Sequence, residues 1–517
     1  MHFRHAKLAV VILAVVTTSM MLLRFVEQWL LARALGAGPG LDAYFLGQIV
    51  LLLGGQLAVA VTSAAIPILS SIDERDRPAA ARRLCRITIV WVAGLFALLA
   101  GFSGPVVNSL QRSLDPLHAR LAQQIFLWLL PATAACIVAA LLRAYWHANR
   151  NFLLPGVGQL FVPLCTCGGA ALVAIGVWNL RYAAAAANLG AILLAVLLYL
   201  PLLRRCETSG SDLRIKLAGI PRKFGAALIP VTASLALIPA MVAASRSFAS
   251  WLAPGSVTAV SLAVSLASIP GQIAAASIGM VLLPQMAHFL VAGRTQDAAR
   301  IVERSLRTTA FVVIPCAVFL LLRAPQAVDL VFRRGAFDTS AVHATAAALI
   351  GFTIGIPALA SMQVLTFALL AARRTRQIAA VAFCTLLLNL LLTRCLLPFG
   401  LIGVAGAFSA ACFFNATVLL QLLVSALPQL ALRPLLISHL RIVSIAAVAC
   451  GLARALTMPW SAGSEPLLFI ATLGLAAALY LALSRLEGSP ELAELLTTVR
   501  LRHSRIVGVA ANQEARP

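Results

Sequence analysis

The chain has 517 residues, of which 61% are hydrophobic and 11% are charged, whereas an average soluble domain has about 25% charged residues. This composition excludes a water-soluble globular fold. Forty Lys and Arg against seventeen Asp and Glu give a formal net charge of +23, but the basic residues lie in short spacers between long apolar runs. The positive charge therefore indicates membrane topology, and we expect no nucleic-acid partner.

Fourteen runs along the chain are apolar and long enough to be candidate membrane spans, since a helix needs about 20 residues to cross the bilayer core. Their approximate limits are 8–35, 42–69, 88–110, 124–147, 153–178, 182–203, 224–247, 257–288, 309–323, 342–371, 378–397, 401–426, 438–456 and 466–484. Basic residues concentrate in alternate spacers, which predicts cytoplasmic N- and C-termini. The sequence therefore predicts an all-α integral membrane protein with about 14 transmembrane helices.

The longest polar spacer divides the chain into two halves of six spans, followed by a final pair of spans. Corresponding residues of the two halves, such as Pro67 and Pro284, recur at a constant offset. Two repeats of this kind are a common transporter arrangement, with the substrate site between them. We predict an N-lobe (1–203), a cytoplasmic linker (204–223), a C-lobe (224–426), a helix pair (427–484) and a cytoplasmic tail (485–517).

The sequence contains no nucleotide-binding loop, hydrolase nucleophile motif or cluster of metal ligands. Most of the ten cysteines lie within apolar runs, where a cysteine usually serves as a small buried hydrophobe. We therefore predict that the protein is not an enzyme and that it holds no metal and no cofactor.

Short motifs occur along the chain between about residues 10 and 425. The run Ala32–Gly38 is followed by Asp42-Ala43-Tyr44-Phe45. Further motifs are Ile66–Leu69, Arg150–Phe152 with Pro155, Leu282–Pro284, Phe332–Gly335 with Phe337, Asn389 and Asn415. In order and spacing, this set resembles the MurJ/MviN family of lipid II flippases, which belongs to the superfamily of multidrug, oligosaccharidyl-lipid and polysaccharide exporters.

The resemblance implies two six-helix lobes around a central cavity, with a C-terminal helix pair that receives a polyprenyl tail. It implies a flippase that moves an undecaprenyl-diphosphate-linked glycan, the peptidoglycan precursor lipid II, from the inner to the outer leaflet by alternating access. The expected location is the bacterial plasma (inner) membrane. The expected partners are this lipid-linked glycan and membrane lipid, and cell-envelope synthesis enzymes are further candidates.

The sequence departs from the family where the substrate chemistry is expected. Arginines that face the cavity in lipid II flippases are replaced here by Met21, Glu27, residues around Leu53 and Gly54, and Ser265. A diphosphate favours charge-assisted, bidentate arginine donors. A flippase for an O-antigen, capsule or exopolysaccharide precursor is therefore an alternative, and a cation-coupled drug exporter and an inactive scaffold are less favoured ones.

Arg24 and Glu27 are the only oppositely charged pair well within a predicted span, and their spacing places them on one helix face. Ionisable residues within a membrane are costly and usually mark functional sites. In one interpretation, Arg24 binds the diphosphate and Glu27 acts as a gate or proton carrier. In the other, the two charges neutralise each other and fix the packing of the helix.

Three further residues are candidates for the site or its gate. Asp42 follows a glycine-rich turn and could cap the second span, or it could close an outer gate by pairing with Arg246 or Arg33. Asn389 lies in an unbroken apolar stretch, where an Asn either bonds a neighbouring helix or contacts the cavity or an ion.

Overall fold

A computed structural model describes residues 2–112, 114–203, 224–226, 228, 231–232, 235–458 and 465–493. Side chains at 2–14, 203, 272–281, 283, 284 and 465 are not among the described ones. The predicted linker, 204–223, and most of the predicted tail lie outside the described residues. The elements assigned in the described residues are helices, which confirms the predicted all-α class.

The helices of the first part of the chain follow one another with short connections. They are α1 (His2–Leu35), α2 (Pro39–Gly47), α3 (Ile49–Ser70), α4 (Arg77–Gly101), α5 (Ser103–Leu110), α6 (Pro116–Ala148), α7 (Leu153–Gln159), α8 (Phe161–Ala174) and α9 (Leu180–Leu203). Many connections use local start and stop signals. Pro39 and Pro116 open their helices, where a missing N–H is harmless, and Gly36 follows α1 with a φ of 67°.

The second part of the chain continues in the same way. Its helices are α10 (Leu237–Ala249), α11 (Ser256–Val291), α12 (Thr295–Leu322), α13 (Ala324–Phe332), α14 (Thr339–Ala371), α15 (Thr375–Leu396), α16 (Gly400–Ala426), α17 (Leu432–Thr457) and α18 (Glu465–Leu486). A short 3-10 turn, Leu397–Phe399, joins α15 to α16.

Eleven stretches of the described residues are long and apolar enough to cross a membrane. One of them, Thr375–Ala426, has 52 residues and contains both α15 and α16. Predicted spans seven and eight coincide with shorter apolar helices, Leu237–Ala249 and Ser256–Gly271. The multi-pass membrane class is confirmed, whereas the number fourteen stays a prediction.

Two compact units are distinguished by their internal packing. The first comprises Met1–Leu266, Val331–Gly351 and Thr375–Ala411, and the second comprises Ala267–Leu330, Phe352–Arg374 and Cys412–Pro517. Within the first unit, α6 packs against α2, α3, α4 and α9, while α1 packs mainly on α7 and α8. This division does not test the predicted N-lobe and C-lobe, which stay a prediction.

In the second unit, α17 packs against both α12 and α18. The Tyr480 hydroxyl donates to the Phe311 carbonyl at 3.0 Å, and the two rings lie 5.1 Å apart. After α18, the Glu491 carboxylate accepts hydrogen bonds from Ser438 at 2.6 Å and from Arg441 at 2.5 Å. Burial raises the pKa of Glu491, but the hydrogen bond from Ser438 and the charge of Arg441 outweigh that effect and hold the pKa below its ordinary value.

Candidate functional site

Glu27 is a buried carboxylate of the first unit, and its side chain is 4% exposed. The Tyr44 hydroxyl on α2 and the Thr166 hydroxyl on α8 each donate to it at 2.7 Å. The Gln48 amide, between α2 and α3, donates at 3.3 Å. These donors satisfy both carboxylate oxygens, so Glu27 joins α1 to α2 and α8.

Arg24 lies three residues earlier on α1 and has a different environment. Its side chain is exposed, and the described part of the chain supplies it with neither a hydrogen bond nor an ion pair. The ion pair between Arg24 and Glu27, the second interpretation of the sequence, is therefore not formed among these residues.

Arg143 is a second basic residue without a described partner, and the sequence alone does not single it out as a candidate. It lies on α6, two turns after Cys136. Its Nε is buried and has no hydrogen-bond partner within the described ranges, and the same holds for Nε2 of His147 one turn later. We call Arg24 and Arg143 the arginine pair.

Asp42 caps a helix that lies more than 200 residues away in the sequence. Its carboxylate accepts from the backbone N–H groups of Gly255 at 2.6 Å and of Thr258 at 2.7 Å, and from the Thr258 hydroxyl at 2.7 Å. These groups form the first turn of α11, where unpaired N–H groups and the helix dipole favour a negative charge. Asp42 therefore caps α11, and α2 is preceded by Gly38 without a side-chain cap.

Three glycines with positive φ lie at close backbone approaches near Asp42. A Cβ added to Gly36 would lie 2.4 Å from the Ala336 carbonyl oxygen, one on Gly255 would lie 2.5 Å from that of Ala37, and one on Gly335 would lie 2.3 Å from that of Arg33. The Ala336 N–H also donates to the Arg33 carbonyl at 2.9 Å. We call Gly36, Gly255, Gly335 and Asp42 the closure, because they hold the end of α1 against two other loops.

Arg246, the predicted gate partner of Asp42, contacts α2 at a different residue. Its guanidinium donates to the Phe45 carbonyl at 3.2 Å and lies 5.3 Å from the centre of the Phe45 ring. It also acts electrostatically on Tyr44, the donor to Glu27. Arg246 thus attaches α10 to the same short helix that carries Asp42.

Asn389 is fully buried on α15, the helix that packs against α10. Its side-chain oxygen and nitrogen both lack a hydrogen-bond partner within the described residues. A buried amide without partners is costly to the fold, so the structure favours neither the helix contact nor any other intrachain role for this side chain.

The positions of the missing family arginines also have a packing explanation. A Cβ added to Gly54 on α3 would lie 2.0 Å from the Thr133 methyl group on α6, so no longer side chain fits there without separating the helices. The Ser265 hydroxyl donates to the Ser261 carbonyl at 3.0 Å on its own helix. Gly54 therefore serves helix packing in this chain, and the hydroxyl of Ser265 bonds within its own helix.

The fold defines a multi-pass, all-helical membrane protein. A solved structure described as lipid II flippase MurJ in an inward closed conformation superimposes with a TM-score of 0.77 at 17% identity, covering 92% of this chain and 98% of that one. An inward-facing multidrug transporter of the MATE family superimposes with a TM-score of 0.66 at 12% identity, covering 79% and 95%. At these identities the likeness concerns the fold alone.

Sequence relatives point to one family within this class. A probable lipid II flippase MurJ of Rhizobium tropici is 25% identical over 364 residues, which is 65% of this chain and 65% of the relative. One from Synechocystis sp. is 22% identical over 462 residues, or 85% of each chain. The model of the lipid II flippase MurJ family matches residues 31–471. The chain belongs to the MurJ family.

Proposed function

We propose that this protein is a lipid flippase that carries an undecaprenyl-diphosphate-linked glycan from the inner to the outer leaflet of a bacterial plasma membrane. Lipid II is the substrate that we favour. The observation that carries the proposal is the family match over residues 31–471. Transport follows alternating access, with both termini in the cytoplasm, and membrane lipid and cell-envelope synthesis enzymes are the partners that we expect.

Asp42 and Arg246 form the gate in this proposal. Both attach α2 to later helices, Asp42 through the first turn of α11 and Arg246 through α10. To open this end of the first unit, α2 has to release the backbone N–H groups of α11. Water then replaces the carboxylate as their acceptor, which lowers the cost of opening.

Arg24 and Asn389 contact the substrate in this proposal, and Glu27 supports them. Arg24 is exposed and Asn389 has two unpaired polar atoms, so both have bonding capacity to offer a ligand. Glu27 accepts from three donors and has little capacity left for a substrate. Its role is to hold α1, and with it Arg24, in position.

A second candidate is a flippase for an O-antigen, capsule or exopolysaccharide precursor. The observation in its favour is the packing at Gly54, which leaves no room for a cavity arginine at that position. A changed arginine set alters the recognition of the headgroup, while the polyprenyl diphosphate can stay the same.

Complementation tests the choice between the two candidates. The full chain is expressed in a strain depleted of its own lipid II flippase, and the amount of protein in the membrane is measured alongside growth. Growth supports lipid II as the substrate. Absence of growth at normal membrane abundance, together with translocation of another polyprenyl-diphosphate glycan in proteoliposomes, would support the second candidate.

A further inference from the structure

A small polar cavity lies in the second unit, between the first half of α12 and the segment that follows α18. Its volume is about 230 Å³, which is below the roughly 300–1,000 Å³ of pockets that hold drug-sized ligands. The lining contains three arginines, two glutamates and one proline: Arg300, Glu303, Arg304, Arg307, Pro490 and Glu491. The cavity therefore suits a small charged group.

The four α12 residues of the lining share one face of their helix, because spacings of three, four and seven residues bring side chains to the same side. The other face carries buried apolar residues such as Val302 and Leu306. The Arg300 side chain is 69% exposed, whereas that of Arg307 is 25% exposed. The arginines thus line the cavity from its open rim to its more enclosed part.

Both carboxylates of the lining have partners within the chain. Glu491 accepts hydrogen bonds from Ser438 at 2.6 Å and from Arg441 at 2.5 Å, and Arg441 itself does not line the cavity. Glu303 accepts a hydrogen bond from Arg307, one turn later on α12. Since Arg441 neutralises Glu491 from outside the lining, the three lining arginines outnumber the remaining carboxylate.

Arg300 and Arg307 both keep bonding capacity. The acidic neighbour of Arg300 is Asp297 at 3.7 Å, but Asp297 also accepts a closer hydrogen bond from Arg294 at 2.7 Å. The Nε of Arg307 is shielded from solvent and has no hydrogen-bond partner among the described residues. The lining therefore combines an excess of positive charge with a buried donor, which is what an anion requires.

The cavity lies at the polar end of a helix that is long and apolar enough to cross a membrane. Beyond the lining, the stretch from Ala310 to Leu322 contains no charged residue. A polar cavity directly before such a stretch lies near the level of the lipid headgroups. In the predicted topology this is the cytoplasmic leaflet, whose anionic phospholipids attract clustered basic residues.

We propose that the cavity binds the phosphate group of an anionic phospholipid through Arg300, Arg304 and Arg307. Guanidinium groups form charge-assisted hydrogen bonds with phosphate oxygens and can do so in a bidentate manner. The position at headgroup level favours a phosphate carried by a lipid over one free in water. A bound phosphate connects α12 to the segment after α18, and this role is independent of the identity of the transported lipid.

Binding of phosphatidylglycerol by the purified full chain in detergent tests the proposal, with native mass spectrometry as the measurement. The double variant Arg300→Gln/Arg304→Gln removes two exposed charges of the lining and keeps the ion pair between Arg307 and Glu303. We expect it to bind phosphatidylglycerol about tenfold more weakly than the wild type does. It should unfold at the wild-type temperature. Phosphatidylcholine, whose headgroup has no net charge, should bind weakly to both proteins.

The double variant Arg433→Gln/Arg485→Gln is the matched control. It removes two exposed charges of the same unit that do not line the cavity, and it should bind phosphatidylglycerol as the wild type does. Equal losses in the two double variants would indicate a general attraction of lipid to positive charge and would overturn the proposal. So would wild-type affinity in Arg300→Gln/Arg304→Gln, or a wild type that does not bind phosphatidylglycerol.

Glu303→Gln should change binding in the opposite direction. It removes a negative charge from the lining and releases Arg307 from its ion pair, so phosphatidylglycerol should bind about threefold more tightly. Unchanged or weaker binding in a variant that unfolds at the wild-type temperature would contradict the role of Arg307.

Inorganic phosphate is the second probe and identifies the source of the phosphate group. Phosphatidylglycerol that stays bound in an excess of inorganic phosphate supports the lipid as the ligand. If inorganic phosphate protects the wild type from thermal unfolding but does not protect Arg300→Gln/Arg304→Gln, and if phosphatidylglycerol does not bind, the cavity is a site for soluble phosphate and the lipid assignment is wrong.

Discussion

The closure and the arginine pair lie in the same unit and show opposite states of polar satisfaction. At the closure, Asp42 accepts three hydrogen bonds from the first turn of α11, and the glycines allow direct backbone contact. At the arginine pair, the described residues leave Arg24 and Arg143 without a carboxylate or carbonyl partner. The polar groups of the closure have their hydrogen-bond partners within the chain, whereas the arginine pair has donors without a described partner.

This difference separates stability from binding. A group whose hydrogen bonds are made within the chain contributes to folding, and its removal leaves partners unsatisfied. A buried charge without a partner lowers the stability of the fold, and a ligand that binds this charge raises the stability again. Substitutions at the closure should therefore reduce stability, and those at the arginine pair should reduce binding.

The largest loss of stability is expected for Asp42→Ala. The change removes the acceptor of two backbone N–H groups and one hydroxyl in a site that is 2% exposed, which should cost about 4 kcal/mol. Asp338→Ala is the control, because Asp338 caps its own helix at an exposed position. Thermal unfolding in detergent measures both. A smaller shift for Asp42→Ala than for Asp338→Ala would remove the contrast between the two regions.

Gly335→Ala should have the next largest effect. The backbone at φ 67° is unfavourable for alanine, and the new Cβ would lie 2.3 Å from the Arg33 carbonyl oxygen, so we expect a loss of about 3 kcal/mol. Gly176→Ala separates the two causes, since φ is 77° there but no atom lies within 4 Å. It should cost only about 1 kcal/mol. Equal losses, measured by thermal unfolding, would show that the close approach contributes nothing.

Tyr44→Phe should cost about 2 kcal/mol, because it removes one donor from the buried Glu27 carboxylate while keeping the ring. Tyr182→Phe serves as the control, since that hydroxyl is exposed and bonds only Arg181 in the described contacts. Comparison of the two unfolding temperatures sharpens the contrast with Arg24, whose removal should leave stability unchanged. No shift for Tyr44→Phe would mean that Glu27 is not a stabilising centre.

The smallest effect is expected for Glu491, a satisfied carboxylate of the second unit. Its pKa lies below the ordinary value, so its contribution to stability is complete above the unfolded-state pKa and is lost as the pH falls through the folded-state pKa. Wild type should therefore lose more stability than Glu491→Gln when the pH falls from about 6 to about 3. Glu74→Gln, at an exposed ion pair, should follow the wild type. Parallel curves for wild type and Glu491→Gln would contradict this.

The fold class could be predicted because hydrophobic runs and basic spacers are local signals. The number of spans was less accessible, as α12 illustrates. Its apolar run, 309–323, predicted a short ninth span, whereas the helix extends from Thr295 to Leu322. The basic first half lowers the hydropathy of the helix without ending it, so an apolar run underestimates the length.

The site could be predicted only in part. Arg24, Glu27 and Asp42 stand out because they are charges within or beside apolar runs, but their partners are distant in sequence. Thr166 lies 139 residues from Glu27, and Thr258 lies 216 residues from Asp42. Arg143 was missed because a basic residue near the end of a predicted span is taken as a topology signal. Its lack of a partner is visible only once α6 is packed.

The hydrogen bonds of the closure end largely on main-chain atoms, such as the N–H of Gly255 and the carbonyl of Arg33. Main-chain atoms are the same in nearly every residue type, so these contacts depend on the position of the backbone and little on the identity of the side chains. Most residues around the closure can therefore be substituted without removing these hydrogen bonds.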